Sequence, residues 1–215
     1  MAQNFELEAK RMVDQQLIPR GIRSAAVLEA MQNIPRHLFV PEGLQSNAYD
    51  DSPLPIGLGQ TISQPYIVAY MTERLEPSKG MKVLEIGAGS GYQAAILAYL
   101  GCEVYSVELL EELADGAKGA LALLKLDNAK VKHGDGYSGW LEEAPFDAVI
   151  VTAAPANIPI QLLGQMREGG KMIVPVGRAN SVQSLKLITK QDGRLTEENL
   201  LAVRFVPMVE QVNAP

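Results

Sequence analysis

The residues able to do chemistry fall into three short clusters. The first, Lys82 to Gly91, reads Lys-Val-Leu-Glu-Ile-Gly-Ala-Gly-Ser-Gly: an apolar run with one carboxylate, Glu85, that ends in three glycines spaced two apart. Gly87, Gly89 and Gly91 let the backbone turn sharply and admit a ligand where a Cβ would obstruct it. A strand that breaks into such a loop suits a nucleotide-bearing cofactor. The third glycine arrives one residue sooner than in the Gly-x-Gly-x-x-Gly of dinucleotide binders, a modest distinction. Glu85 adds another, because a carboxylate inside a buried strand is costly unless a backbone N–H or a ligand ammonium meets it. The methionine moiety of S-adenosylmethionine has that ammonium and NAD does not, which favours the former.

The second cluster supplies the ends of the next two strands. Glu108 stands 17 residues beyond Gly91, where a carboxylate can accept from both ribose hydroxyls of either cofactor. Gly134-Asp135-Gly136 offers a third contact, with Asp135 able to take the adenine amino group. Blander readings stay open: Glu108 as a solvated carboxylate at a helix start, Asp135 as a turn residue. The third cluster, Thr61-Ile62-Ser63-Gln64, precedes Pro65 at the start of a predicted helix, a place that favours an anion. Ser63 also suits the simpler role of helix cap.

The elements that must position these groups follow from periodicity and punctuation. Residues 4 to 17 pattern as an amphipathic helix stopped by Pro19 to Gly21, and Ser24 caps a second over 25 to 32. Arg36 to Pro41 is irregular around Leu38, Phe39 and Val40. Residues 50 to 65 hold three prolines and two glycines with isolated large apolar side chains, which predicts an ordered loop rather than a linker. A helix follows over 65 to 75, capped by Ser63 or Gln64. Strands are expected at Val83 to Ile86, Glu103 to Val107, Lys130 to His133, Phe146 to Thr152 and Lys171 to Val176, alternating with helices over 92 to 100, 109 to 126 and 157 to 167. That alternation implies a parallel sheet covered on both faces. Two more β-like runs, Ser181 to Thr189 and Leu200 to Val206, flank a turn at Gln191 to Arg194 and should add at least one antiparallel edge strand. One domain suits 215 residues. It divides into a cap with a substrate loop (1–64), a cofactor core (65–180) and edge strands (181–215).

Composition narrows the partners. With 19 Lys and Arg against 25 Asp and Glu, net −6, and no basic run, a nucleic-acid partner is not expected. The one cysteine, Cys102, excludes an internal disulfide or a multi-cysteine metal site; beside Gly101 at a helix end it should be buried and inert. Neither a secretory signal nor a membrane span is expected, and a cytoplasmic monomer is. His37 reads as packing, His133 as a strand end, and Tyr137 and Trp140 as either adenine neighbours or core.

Three segments together are more specific than a generic cofactor fold: Pro53 to Pro65 (Pro-Leu-Pro-Ile-Gly-Leu-Gly-Gln-Thr-Ile-Ser-Gln-Pro), Val83 to Tyr92, and His133 to Gly136. With Pro35 to Pro41, Pro145 to Pro155 and Arg204 to Pro207, they give a chain that resembles the protein-L-isoaspartate O-methyltransferases from about 20 to 210. The resemblance implies a Rossmann-like, seven-stranded, mostly parallel sheet with helices on both faces, an antiparallel C-terminal edge and an N-terminal helical cap. It implies methyl transfer from S-adenosylmethionine to the α-carboxylate of L-isoaspartyl residues in damaged proteins and peptides. The ester then collapses to a succinimide that opens partly to aspartate. Carried over by position, Ser63 is the active-site residue, with Thr61, Ile62 and Gln64 beside it on the substrate side. Glu85, Gly87, Ala88, Gly89, Glu108, Leu109, Gly134, Asp135 and Gly136 fall on the cofactor side. The rival readings are a nicotinamide-dependent reductase and a non-catalytic S-adenosylmethionine-binding domain. A nucleic-acid base methyltransferase would want Asp/Asn-Pro-Pro-aromatic after the fourth strand, where this chain has Thr152-Ala153-Ala154-Pro155.

Overall fold

The computed structural model describes residues 4–210, so the outermost residues of the expected domain, 1–3 and 211–215, lie outside it. The N-terminal cap is α1 (Phe5–Met12), continued by a π-helical turn over Val13–Leu17, and α2 (Ala25–Asn33), where the Val27 N–H donates to the Ser24 hydroxyl as expected. The punctuated stretch 50 to 65 is more regular than a loop. It folds into a hairpin of β1 (Leu54–Gly57) and β2 (Gln60–Ile62), because Gly57, Leu58 and Gly59 all take positive φ and reverse the chain. Next comes α3 (Pro65–Leu75), with Gln64 at its N-cap and no side-chain cap hydrogen bond. Gln64 instead donates from Nε2 to Asp51 Oδ1 at 2.8 Å, so neither expected side-chain cap forms.

The core alternates β3 (Lys82–Ile86), α4 (Tyr92–Tyr99), β4 (Glu103–Glu108), α5 (Glu111–Leu123), β5 (Ala129–His133) and β6 (Phe146–Val151), followed by α6 (Ile160–Gly164), β7 (Met166–Val176), β8 (Gln183–Gln191) and β9 (Arg194–Val203). One seven-stranded sheet runs in the order β5-β4-β3-β6-β7-β8-β9, parallel through β7 and antiparallel at β7–β8–β9. Its order reverses beside β3: the chain steps outward to β4 and β5, then returns to β6 on the other side. Such a switch point opens a crevice at the carboxyl ends of β3 and β6. The apolar runs are continuous because both sheet faces are covered. In β3, Val83 packs with the cap-side cluster while Leu84 and Ile86 join the opposite one, each at most 2% exposed.

The largest departures from expectation lie around β7 and in the last strand. The helix expected over 157 to 167 shrinks to five residues, because Pro159 delays its start and Met166 is already in register with Phe146 of β6. The last strand begins at Arg194, not Leu200. Asp192 and Gly193 take positive φ, so β8 and β9 pair straight from the turn, through a polar stretch exposed at the sheet edge.

Candidate active site

The glycine loop sits directly after β3. Gly87, Gly89 and Gly91 have φ of +92°, +54° and +88°, in the region that disfavours side chains. Gly87 is needed twice over, since a Cβ there would lie 2.6 Å from Thr152 Oγ1. That hydroxyl has one proton and two carbonyls in reach, Gly87 O at 2.6 Å and Ile86 O at 2.9 Å. Glu108 fastens the loop from the β4 side, accepting from the Gly89 N–H at 2.8 Å (Oε2) and from the Leu110 N–H at 3.1 Å (Oε1). Each oxygen keeps a further lone pair for a ligand hydroxyl.

Glu85 is fully buried on β3. Ser106 donates to its Oε2 at 2.5 Å, and Oε1 finds no partner among the described residues. Burial, partly opposed by the Ser106 hydrogen bond and reinforced by the charge of Glu108, pushes its carboxyl up to about 8.

These groups share one cleft that is open to solvent. Its walls are built from Glu85 to Ser90, Glu108 to Leu110, Gln60 to Ser63 at the end of the hairpin, and Val206 to Val209. The last segment is tied down by Ala154 N–H to Val206 O (2.8 Å) and Met208 N–H to Ala154 O (2.9 Å). The fold therefore brings Thr61, Ile62 and Ser63 to the same space as Glu85, Gly87, Ala88, Gly89, Glu108, Leu109 and Gly136. Ile62 is buried and Thr61 exposed, and among the described residues nothing engages the Ser63 hydroxyl.

Three expected members stand apart from the cleft wall. Gly134 and Asp135 do not line it, and Asp135 Oδ1 accepts from the Tyr137 N–H at 2.9 Å, the turn role that had stayed open. Gln64 is held by Asp51. Tyr137 and Trp140 do not line it either; Trp140 meets the edge of Tyr105 at 5.5 Å. His37 stacks on Phe5 at 3.9 Å and bonds the Tyr49 hydroxyl, and His133 is an exposed strand end. Cys102 is buried, and burial pushes its thiol up to about 11.

Sequence reasoning missed Thr152, the wall at 206 to 209 and Arg36. Thr152 ends a strongly β-prone run, where it reads as one more strand residue. Arg36 is 0% exposed and bonds two backbone carbonyls, Ala48 O and Ser63 O, each at 2.7 Å. Its only trace in the sequence is a charge between Pro35 and the apolar Leu38-Phe39-Val40.

Residues 8–213 match the family model described as protein-L-isoaspartate(D-aspartate) O-methyltransferase. The chain belongs to this family. Similar proteins named protein-L-isoaspartate O-methyltransferase occur in Opitutus terrae (52% identical, covering 95% of this chain and 88% of that one) and Gloeobacter violaceus (52%, covering 93% and 98%). Among solved structures, a protein-L-isoaspartate O-methyltransferase superposes with a TM-score of 0.84 at 32% identity over 93% of this chain, which spans 65% of that longer one. A Plasmodium falciparum protein described in the same terms, in complex with S-adenosyl-L-homocysteine, gives 0.82 at 27% identity, covering 97% and 99%.

The cofactor of a protein-L-isoaspartate O-methyltransferase, S-adenosylmethionine, fits the residues present. Glu85 Oε1 is an orphaned buried acceptor facing a cleft, suited to an ammonium. Gly87 and Gly136 line the same cleft, and each must be glycine for the chain to pack there: a Cβ at Gly136 would come within 2.6 Å of Ile86 Cγ2. Among the described residues no Lys or Arg lines the cleft, where a pyrophosphate would call for countercharge.

Proposed function

We propose that this chain is a repair methyltransferase that esterifies the α-carboxylate of L-isoaspartyl residues in damaged proteins and peptides, using S-adenosylmethionine. One observation carries the reading: Ser63, at a helix start and with a hydroxyl that nothing engages among the described residues, lines the same cleft as a glycine loop backed by the orphaned Glu85 carboxylate. The cofactor supplies an activated sulfonium methyl. Glu85, Gly87, Ala88, Gly89, Glu108, Leu109 and Gly136 hold it, and Gly134 and Asp135 complete its side of the site from the end of β5, Asp135 taking the adenine amino group with the oxygen that the Tyr137 N–H leaves free. The accepting carboxylate is already ionised at neutral pH, so no general base is needed. Ser63 donates to one of its oxygens while Thr61, Ile62 and the start of α3 shape the space around it, with Gln64 held from behind by Asp51. Orientation of this kind supplies up to about 7–11 kcal/mol. Attack neutralises opposite charges, so the hairpin and the 206–209 wall help by excluding water.

Division of labour follows from this reading: residues 1–64 shape the substrate side, 65–180 hold the cofactor and 181–215 close the sheet edge. Among the described residues no helix is long and apolar enough to cross a membrane. We further infer a cytoplasmic monomer without a nucleic-acid partner, supported by the net charge of −6 and a lone buried thiol. The functional test is to incubate the chain with methyl-labelled S-adenosylmethionine and an isoaspartyl peptide. Label should appear as a base-labile ester on the peptide; label in a base-stable linkage, or none, would refute the assignment.

A further inference from the structure

Arg36 has no part in the function as described, and its surroundings are unusual for a cation. It is fully buried, and among the described residues no carboxylate pairs with it. Its Nε donates to Ala48 O and its Nη2 to Ser63 O, both at 2.7 Å, while Nη1 makes no hydrogen bond. The guanidinium carbon lies 4.8 Å from the centroid of the Tyr92 ring. Tyr92 is the first residue of α4, directly after the glycine loop, and lines the cleft. One side chain thus touches the cap, the serine of the substrate wall and the helix that follows the cofactor loop.

Stability alone is a poor account of this arrangement. Burying an ion among neutral groups is costly, and an apolar side chain of similar length commonly does as well or better for folding. The geometry instead suits what only a planar guanidinium can do: bond two divergent carbonyls from one edge while its face rests on a ring. A charge-assisted hydrogen bond to a peptide carbonyl is also stiffer and stronger than a neutral one. It polarises the Ser63–Gln64 peptide unit at the start of α3, so that its N–H becomes a better donor towards an anion.

We propose that Arg36 is a positioning residue for methyl transfer: by gripping the Ser63 carbonyl and resting on Tyr92, it sets the Ser63 hydroxyl and the start of α3 in register with the cofactor loop. This rests on the reading of Ser63 as the substrate-carboxylate donor. Arg36 never touches either ligand. It acts through Ser63, and the unpaired positive charge behind the wall favours an anionic substrate at the front.

The test is a double-mutant cycle with Arg36→Lys and Ser63→Ala. Arg36→Lys keeps the charge but cannot span both carbonyls; it should lower kcat/KM for an isoaspartyl peptide about 10- to 100-fold. The Kd for S-adenosylhomocysteine should stay within about threefold, a split that a loss of general structure would not produce. In the Ser63→Ala background the same change should cost no more than about threefold. A full loss in both backgrounds, or equal weakening of both ligands, overturns the role of Arg36 while leaving Ser63 in place. If Ser63→Ala alone turns over normally, the reading of Ser63 falls first and this one with it. Should Arg36→Lys fail to fold, the wild-type protein carries the test through the Arg36 Nε–H resonance. With S-adenosylhomocysteine bound, that resonance should shift on adding the isoaspartyl peptide and stay fixed with the aspartyl one; no shift with either overturns the proposal.

Discussion

Replacing Glu85 by Gln separates two effects that one carboxylate should have. In the free protein, burial raises the Glu85 carboxyl from its usual 4.5 to about 8. Between those values the unfolded chain gives up a proton that the folded chain keeps. Stability is therefore fully present below about pH 4.5, falls as pH rises through about 8 and then levels off. At 1.36 kcal/mol per pH unit the full drop is at most about 5 kcal/mol, and no solvent screening reduces it because the group is fully buried. Glu85→Gln keeps the shape and an acceptor for Ser106, so its unfolding curve should lack this slope and the variant should outlast the parent above neutrality. The cofactor ammonium reverses the preference, since a positive charge at Oε1 favours the ionised carboxylate. Binding at neutral pH should then release a proton, and losing that charge-assisted bond should weaken binding about 10- to 150-fold. Thermal unfolding between about pH 5 and pH 9 reads the first effect. Calorimetric titration with S-adenosylhomocysteine, in buffers of different ionisation heat, reads the second. An unchanged Kd together with unchanged proton release would refute the role of Glu85.

Further expectations follow from the same contacts. Ser63→Ala should slow methyl transfer about 10- to 100-fold with cofactor affinity little changed, because the hydroxyl is not used inside the fold; initial rates and a cofactor titration decide it. Cys102, with its thiol pushed up to about 11, should resist alkylation in the native protein and react only on unfolding, as mass spectrometry of alkylator-treated samples would show. Gly116 and Gly119 lie on the exposed face of α5 with open space where a Cβ would go, so Ala at either should raise stability by about 0.4–1 kcal/mol in denaturant titrations without altering turnover.

What the sequence made legible tracks how local the determining physics is. β3, its three glycines and Glu108 could be read because a strand, a sharp turn and the next strand end are each set by neighbouring residues. So could the clustering of Thr61 to Ser63 opposite them, though only through resemblance, since no local rule brings a hairpin across a sheet's switch point. Asp135 shows how one motif serves two ends: a Gly-Asp-Gly suits both a ligand contact and a turn, and only Oδ1 is taken by the Tyr137 N–H. The polar half of β9 gave no hydrophobic signal because it is an exposed edge, paired on one side only. Arg36 was illegible because its partners lie 12 and 27 residues away, at Ala48 and Ser63, and both contacts are to backbone, which carries no residue-type signature.

The central claim, that this cleft methylates a misplaced carboxylate, is met most directly by comparing two peptides identical except for one linkage. With labelled S-adenosylmethionine in excess, the peptide carrying an L-isoaspartyl residue should acquire a methyl ester and its aspartyl twin should not. Equal labelling of the two, or labelling of the aspartyl peptide alone, would contradict it.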